Sequence, residues 1–167
     1  MATAYKEMAR RIAPLADQVG SDTVAGDTSG FIDAFDALTK RVVRASIAPS
    51  VTPGTAENFI IMEAEADLEL LSVKYHPDDA LTANACDYAT LDINKEDGAA
   101  GGLTSLDAIT TEVSGTDDWA ARVAESFGGI GVNDTLDAGE ILVLQITKTG
   151  CGVAVPHGTL EVTYRLL

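Results

Sequence analysis

Long apolar runs are missing from this 167-residue chain. Nowhere does it hold the roughly 18 consecutive apolar residues that read as a membrane-spanning helix. The opening MATAYKEMARRIAPL mixes charges and has no apolar h-region, which argues against a secretory signal. Cysteine is nearly absent too: Cys86 and Cys151 are the only two, with no C-x-x-C and no zinc spacing. The two could pair, but without a signal peptide the expectation is reduced, partly buried thiols. Aromatic residues make up 5% of the chain, with one tryptophan and two histidines.

Catalytic signatures are equally sparse. There is no G-x-S-x-G elbow and no P-loop, and Gly128-Gly129-Ile130-Gly131 lacks the helix and final glycine of a dinucleotide fingerprint. His76-Pro77 and Pro156-His157 lie in turns far apart in sequence, so a joint role requires the two corners to meet in space. Exposed turn histidines are expected instead. Gly150-Cys151-Gly152 puts a thiol on a tight turn, but a nucleophile needs a base and an orienting group, and only His157 is near in sequence. No enzyme is expected, and no cofactor. Asp78-Asp79 and Asp117-Asp118 offer paired carboxylates without the D-x-D-x-D-G spacing of a calcium loop, so they read as a turn and a helix cap and not as a metal site. Asn133-Asp134-Thr135 fits a glycosylation sequon with no secretion route to use it. Trp119, in an every-fourth apolar pattern, reads as core before it reads as a sugar-stacking surface.

What the chain does contain is apolar residues, 46% of it, and 15 glycines: enough for one domain with a real core and many turns. Net charge is −15 and unevenly spread. Residues 1–56 carry 6 basic and 6 acidic side chains, residues 57–167 carry 5 and 20. The acidic part repels phosphate backbones, so no nucleic-acid partner is expected, and no membrane.

Two helical patterns precede the acidic part. Tyr5, Met8, Ile12, Leu15 and Val19 share a face, broken by Pro14. After the linker Gly20–Gly30, a second helix is expected from Ser29, with Phe31, Phe35, Leu38 and Val42 apolar, Asp33 and Asp36 early, and Lys40, Arg41 and Arg44 late. Residues 1–56 are therefore expected to form a helical or extended arm. Its candidate partner-binding residues are Tyr5, Met8, Ile12, Phe31, Phe35, Leu38 and Val42.

From Glu57 the period changes to two. Strands are expected at Phe59–Ala64, through Leu71, Val73 and Tyr75 with a bulge at Leu70-Leu71, through Ala89, Leu91 and Ile93, and over Leu103–Val113. Trp119, Val123 and Phe127 recur every fourth residue, so a short inserted helix is expected there, ended by Gly128. Leu142, Leu144 and Ile146 then share one strand face, and Leu160, Val162, Tyr164 and Leu166 another. With the Gly150–Gly158 loop between them, they read as a hairpin supplying the core. The expected fold is mainly β: a β-sandwich or jelly-roll-like domain over 57–167, with the N-terminal helical arm and one short inserted helix.

The run of turns in Leu136–Leu167 (the Asp137-Ala138-Gly139 turn, the apolar strand, Gly150-Cys151-Gly152, Pro156-His157-Gly158 and the alternating last strand) resembles small structural proteins of tailed-phage heads. These are the decoration, or cement, proteins of the outer capsid surface. The likeness extends more weakly back to about Glu57, through Tyr75–Thr82 and the turn from Asn94 to Gly102, and covers roughly the last two thirds of the chain. It implies a virion protein, made in the host cytoplasm, that binds the major capsid protein and copies of itself as a dimer or trimer. Burial would be its mechanism, about 1,200–2,000 Å² per contact. A tail or head-fibre component, or a carbohydrate-binding host-adhesion module, is the alternative.

Overall fold

The structure, a computed structural model, describes residues 39–50, 55–97, 102–113, 115–131, 134–150 and 153–167. The chain divides into two compact units, Met1–Lys40 and Arg41–Leu167, and the described strands belong essentially to the second. The helical pattern over Tyr5–Val19 and residues 29–38 of the second one lie outside the described residues.

Alternation dictates the strands. In β4 (Tyr88–Glu96), Ala89, Leu91 and Ile93 are wholly buried on one phase. In β8 (Ile141–Thr149), Leu142, Leu144 and Ile146 are likewise buried. With β2 (Glu57–Glu63) and β5 (Leu103–Thr110) they form one antiparallel sheet in the order β2-β8-β4-β5. The other sheet runs β1 (Lys40–Ile47), β9 (Gly158–Leu166), β3 (Leu68–Pro77). The far edge of β3 takes two short strands, β6 (Glu125–Ser126) near its end and β7 (Thr135–Leu136) at its start. An antiparallel bridge between Ser50 and Val155 continues the line of β1 and β9.

The apolar faces of both sheets meet in one core. Leu68, Leu70, Val73, Tyr75, Leu160 and Val162 come from one sheet, and Leu91, Ile93, Leu142, Leu144 and Ile146 from the other. Full burial of each aliphatic side chain contributes about 1.5–3 kcal/mol. The bulge expected at Leu70-Leu71 is present: pairing with β9 shifts between Leu70 and Ser72. The extra residue keeps Leu70 and Val73 both facing inward, which strict alternation forbids.

Three expectations are corrected. First, β8 and β9 do not form a hairpin. They lie in different sheets, and the Gly150–Gly158 segment crosses between them with Val155 wholly buried on the way. Six of the seven residues assigned to the inward faces of these strands hold nevertheless, five of them wholly buried and Tyr164 packed against the cluster, while Leu166 at the end of β9 is exposed.

Second, no helix lies between Thr116 and Phe127. Trp119 bridges to Leu81 in antiparallel fashion, Phe127 donates its N–H to Val73, and Val123 is exposed. Only two of the three apolar positions are thus buried, Trp119 with its ring against Tyr75 of β3 and Phe127 bonded to Val73 of the same strand. Arg122, at φ 62°, sits in the left-handed region that a right-handed helix excludes.

Third, Lys40, Arg41, Val42 and Arg44 belong to β1, not to the end of a helix. Val43, Ala45 and Ile47 turn toward the core while Val42, Arg44 and Ser46 are exposed, a period of two. This strand comes from within the segment 1–56.

Candidate functional site

Where the edge strand β1 begins and the edge strand β2 ends, a groove of about 450 Å³ opens. Val43, Met62, Ala66, Leu68, Tyr164 and Leu166 line it, with Arg41, Glu63 and Glu65 at its charged margin. The crossover from β2 to β3 fixes this margin. Buried Ala64 exchanges backbone hydrogen bonds with the Asp137–Glu140 turn, accepting from Gly139 at 2.7 Å and donating to Glu140 at 2.8 Å. Asp67 then accepts from the Ala138 N–H through its carboxylate and from the Leu167 N–H through its carbonyl, both at 3.0 Å. Glu65 and Ala66 are held between those anchors. Leu166 and Leu167, beside them, are both exposed. The margin therefore combines acid with uncovered apolar surface.

At the opposite end of β9 the two histidine–proline corners do meet. Pro77 pairs with Gly158 and His76 with Thr159, and Tyr75 donates its hydroxyl to the Pro156 carbonyl at 2.7 Å. Burial raises the Tyr75 pKa far above the usual phenol range, with the Asp78 charge adding to it, so the hydroxyl stays a donor. His157 reaches Asp78 Oδ2 through Nδ1 at 2.5 Å and Ser46 Oγ through Nε2 at 2.9 Å. In the neutral ring, Nδ1–H donates to the carboxylate and Nε2 accepts from the serine.

This is the polarity of an acyl-transfer relay. Yet Asp78 and His157 side chains are 55% and 46% exposed, and the groove at the other end of the sheet includes none of the three residues. Such relays gain their rate from oxyanion donors in a water-excluding cleft. Here the contact ties β1 to the β3–β9 corner. It required the β1–β9 pairing, which sequence spacing could not reveal.

The other nominated groups are accounted for by local structure. Asp117 accepts the Val113 N–H and Asp118 the Ala83 N–H, at 2.9 and 2.7 Å, so this acid pair closes turns. No group of three or more His, Cys, Asp or Glu suited to a metal ion occurs among the described residues. Trp119 is buried and packs on Tyr75 with ring centroids 5.6 Å apart, as a core residue. Cys86 is a free and exposed thiol, not a partly buried one. Of the candidate arm residues, Val42 is half exposed on β1; Tyr5, Met8, Ile12, Phe31, Phe35 and Leu38 lie outside the described residues.

No family model, curated protein or solved structure matches this chain.

Two features were invisible to sequence reasoning. One is an interior polar site: Ser50, wholly buried, donates to Glu57 Oε1 at 2.5 Å, and Lys148 Nζ lies 3.6 Å from the same oxygen with its side chain 1% exposed. Lys148 occupies the inward phase of β8, two residues beyond Ile146, so the alternation that marks the core also carries a cation into it. The other is charge pairing across the outer face of the β1-β9-β3 sheet, Arg44 with Glu161 and Arg165 with Glu69.

Proposed function

We propose that this protein is a structural component of a tailed-phage virion, decorating and stabilising the capsid by binding the outer surface of the major capsid protein. In this reading the two sheets make a jelly-roll-like sandwich that stands on the shell, and the N-terminal segment supplies attachment to the shell and to neighbouring copies. The observation that carries the reading is the partition of charge. Of the net charge of −15, residues 39–167 carry −12, with 8 basic and 20 acidic side chains, whereas residues 1–15 are net basic, with Lys6, Arg10 and Arg11 against Glu7, and carry apolar residues at helical spacing. A strongly acidic body is kept in solvent and away from nucleic acid, whereas a basic amphipathic segment is suited to burial against protein. The resemblance of the turn pattern to decoration proteins supports the same assignment.

The carbohydrate-binding alternative draws less support. Sugar sites on β folds present aromatic rings to solvent, and here Trp119, Tyr75 and Phe127 are buried. The large hydrophobic side chains that are exposed among the described residues are aliphatic: Val42, Ile60, Val113, Val123, Leu166 and Leu167.

Capsids assembled without this protein provide the test. The full chain is expected to co-sediment with them at saturable stoichiometry, and a chain lacking residues 1–38 is expected to stay in the supernatant. Residues 40–47 must be kept, because they form β1. A full chain that never sediments with capsids refutes the proposal.

A further inference from the structure

We propose that the groove between β1 and β2 receives the N-terminal segment 1–15 of a second copy of this chain. Three observations converge on that occupant. The groove is too small for a folded domain but accommodates a few side chains, at about 450 Å³. Its floor is apolar (Val43, Met62, Leu68, Tyr164) and the exposed Leu166 and Leu167 extend it outward. Apolar surface of this kind on an acidic protein is where a partner segment binds.

The charges match. Glu63 and Glu65 stand at the margin, both exposed, with Asp67 just beyond them in the same turn. The segment MATAYKEMARRIAPL carries Lys6, Arg10 and Arg11 against the single acid Glu7, and interleaves them with Tyr5, Met8, Ile12 and Leu15. Residues 1–15 thus carry a net charge of +2 in a chain whose net charge is −15, so the acidic bodies that repel one another are joined by a basic apolar peptide. Arg41 at the margin is the one opposing charge among the lining residues, and it leaves the acidic side in excess.

The chain geometry fits an exchange between copies. Arg41, the first residue of the unit Arg41–Leu167, itself lines the groove. Each copy therefore carries both a donor segment and a receiving groove. A head-to-tail contact of this kind closes into a ring when the rotation between copies allows it. It buries side chains in a preformed site without opening either sheet.

The test uses the full chain with Cys86 and Cys151 replaced by Ser. One preparation carries Met8→Cys and the other Met62→Cys, and the mixture is treated with a short bis-maleimide. The expected product is a covalent dimer joining the two variants, absent when either is treated alone. Triple reversal of Lys6, Arg10 and Arg11 to Glu is expected to reduce its yield at least tenfold, and Glu63→Lys with Glu65→Lys in the receiving copy to restore it. A second pair, Met8→Cys with Val43→Cys, guards against a Met62 variant that fails to fold. A link formed only when both cysteines are in one chain overturns the proposal, as does a yield indifferent to charge reversal or no link with either pair. No capsid is present, so the outcome is independent of capsid binding.

Discussion

Leu144→Ala is the sharpest probe of how the two sheets are held together. Leu144 is wholly buried in β8, the strand flanked by β2 and β4, and stands in register with Phe59 on one side and Ile93 on the other. Truncation removes three carbons from a site walled by hydrogen-bonded strands, which cannot close in on the space. The cost belongs in the upper part of the range of about 2–5 kcal/mol for buried leucine to alanine. With a urea m-value of about 2 kcal/mol/M, a loss of ~3 kcal/mol moves the midpoint by roughly 1.5 M at unchanged slope. Trp119 reports the transition: it is the sole tryptophan and is buried against Tyr75. Ile60→Ala is the control. Ile60 lies on the opposite phase of β2 and is 73% exposed. Its loss is expected to stay within about 0.5 kcal/mol. Equal midpoints for the two variants would refute the assignment of faces, and with it the shared core.

Four further outcomes are expected. Arg165→Ala should destabilise by about 1–3 kcal/mol in the same urea titration, because the nearly buried carboxylate of Glu69 loses its 2.5 Å partner; Arg44→Ala, from a pair largely exposed at the arginine, should cost at most about 1 kcal/mol. Gly158→Ala should cost at least about 1–3 kcal/mol by thermal unfolding. Its added Cβ would lie 2.6 Å from the Tyr75 ring and 2.7 Å from the His76 carbonyl, whereas Gly102→Ala meets nothing within 4 Å and should be benign. Tyr75 has its pKa raised in the folded state, so its contribution is fully present below the ordinary phenol value of about 10 and is lost as pH rises through the folded value; Tyr75→Phe should flatten the alkaline fall in melting temperature. Removal of residues 1–38 should leave a cooperative unfolding transition within about 4 °C of the full chain, because the unit Arg41–Leu167 contains the whole of the described core.

How much of this was legible in the sequence depended on how far each signal reaches along the chain. The faces of β4, β8 and β9 were readable because alternation is local and each buried residue testifies to its own strand. The bulge was readable too, as a doubled leucine that breaks the period. Pairing was not readable: the glycine-rich Gly150–Gly158 segment suits a hairpin loop and a sheet-to-sheet crossing equally well, and the partners that distinguish them, β2 and β4 for β8 and β1 and β3 for β9, are remote in sequence. The Trp119–Val123–Phe127 spacing misled because three residues are too few to separate a helix face from apolar side chains of an irregular segment that reach the core one at a time. In β1, the acid-then-base order of charges suggested a helix dipole, while the competing signal, Val42-Val43 followed by alternating Ala45 and Ile47, was short. The Ser46–His157–Asp78 contact and the groove are both products of pairing between strands remote in sequence, so neither had a local signature.

The order of strands has a consequence for synthesis. The strand joining β2 to β4 in one sheet is β8 and the strand joining β1 to β3 in the other is β9, so the latest-made strands are the keystones of both sheets. On the ribosome, β1 and β3 emerge early with no partner for each other, and β2 and the β4–β5 pair likewise wait for β8. The nascent chain must therefore hold several bare strand edges until nearly all of it has been made, and only then are both sheets complete. The acidic surface of residues 57–167 gives those waiting strands a mutual repulsion that discourages edge-to-edge pairing between neighbouring nascent chains.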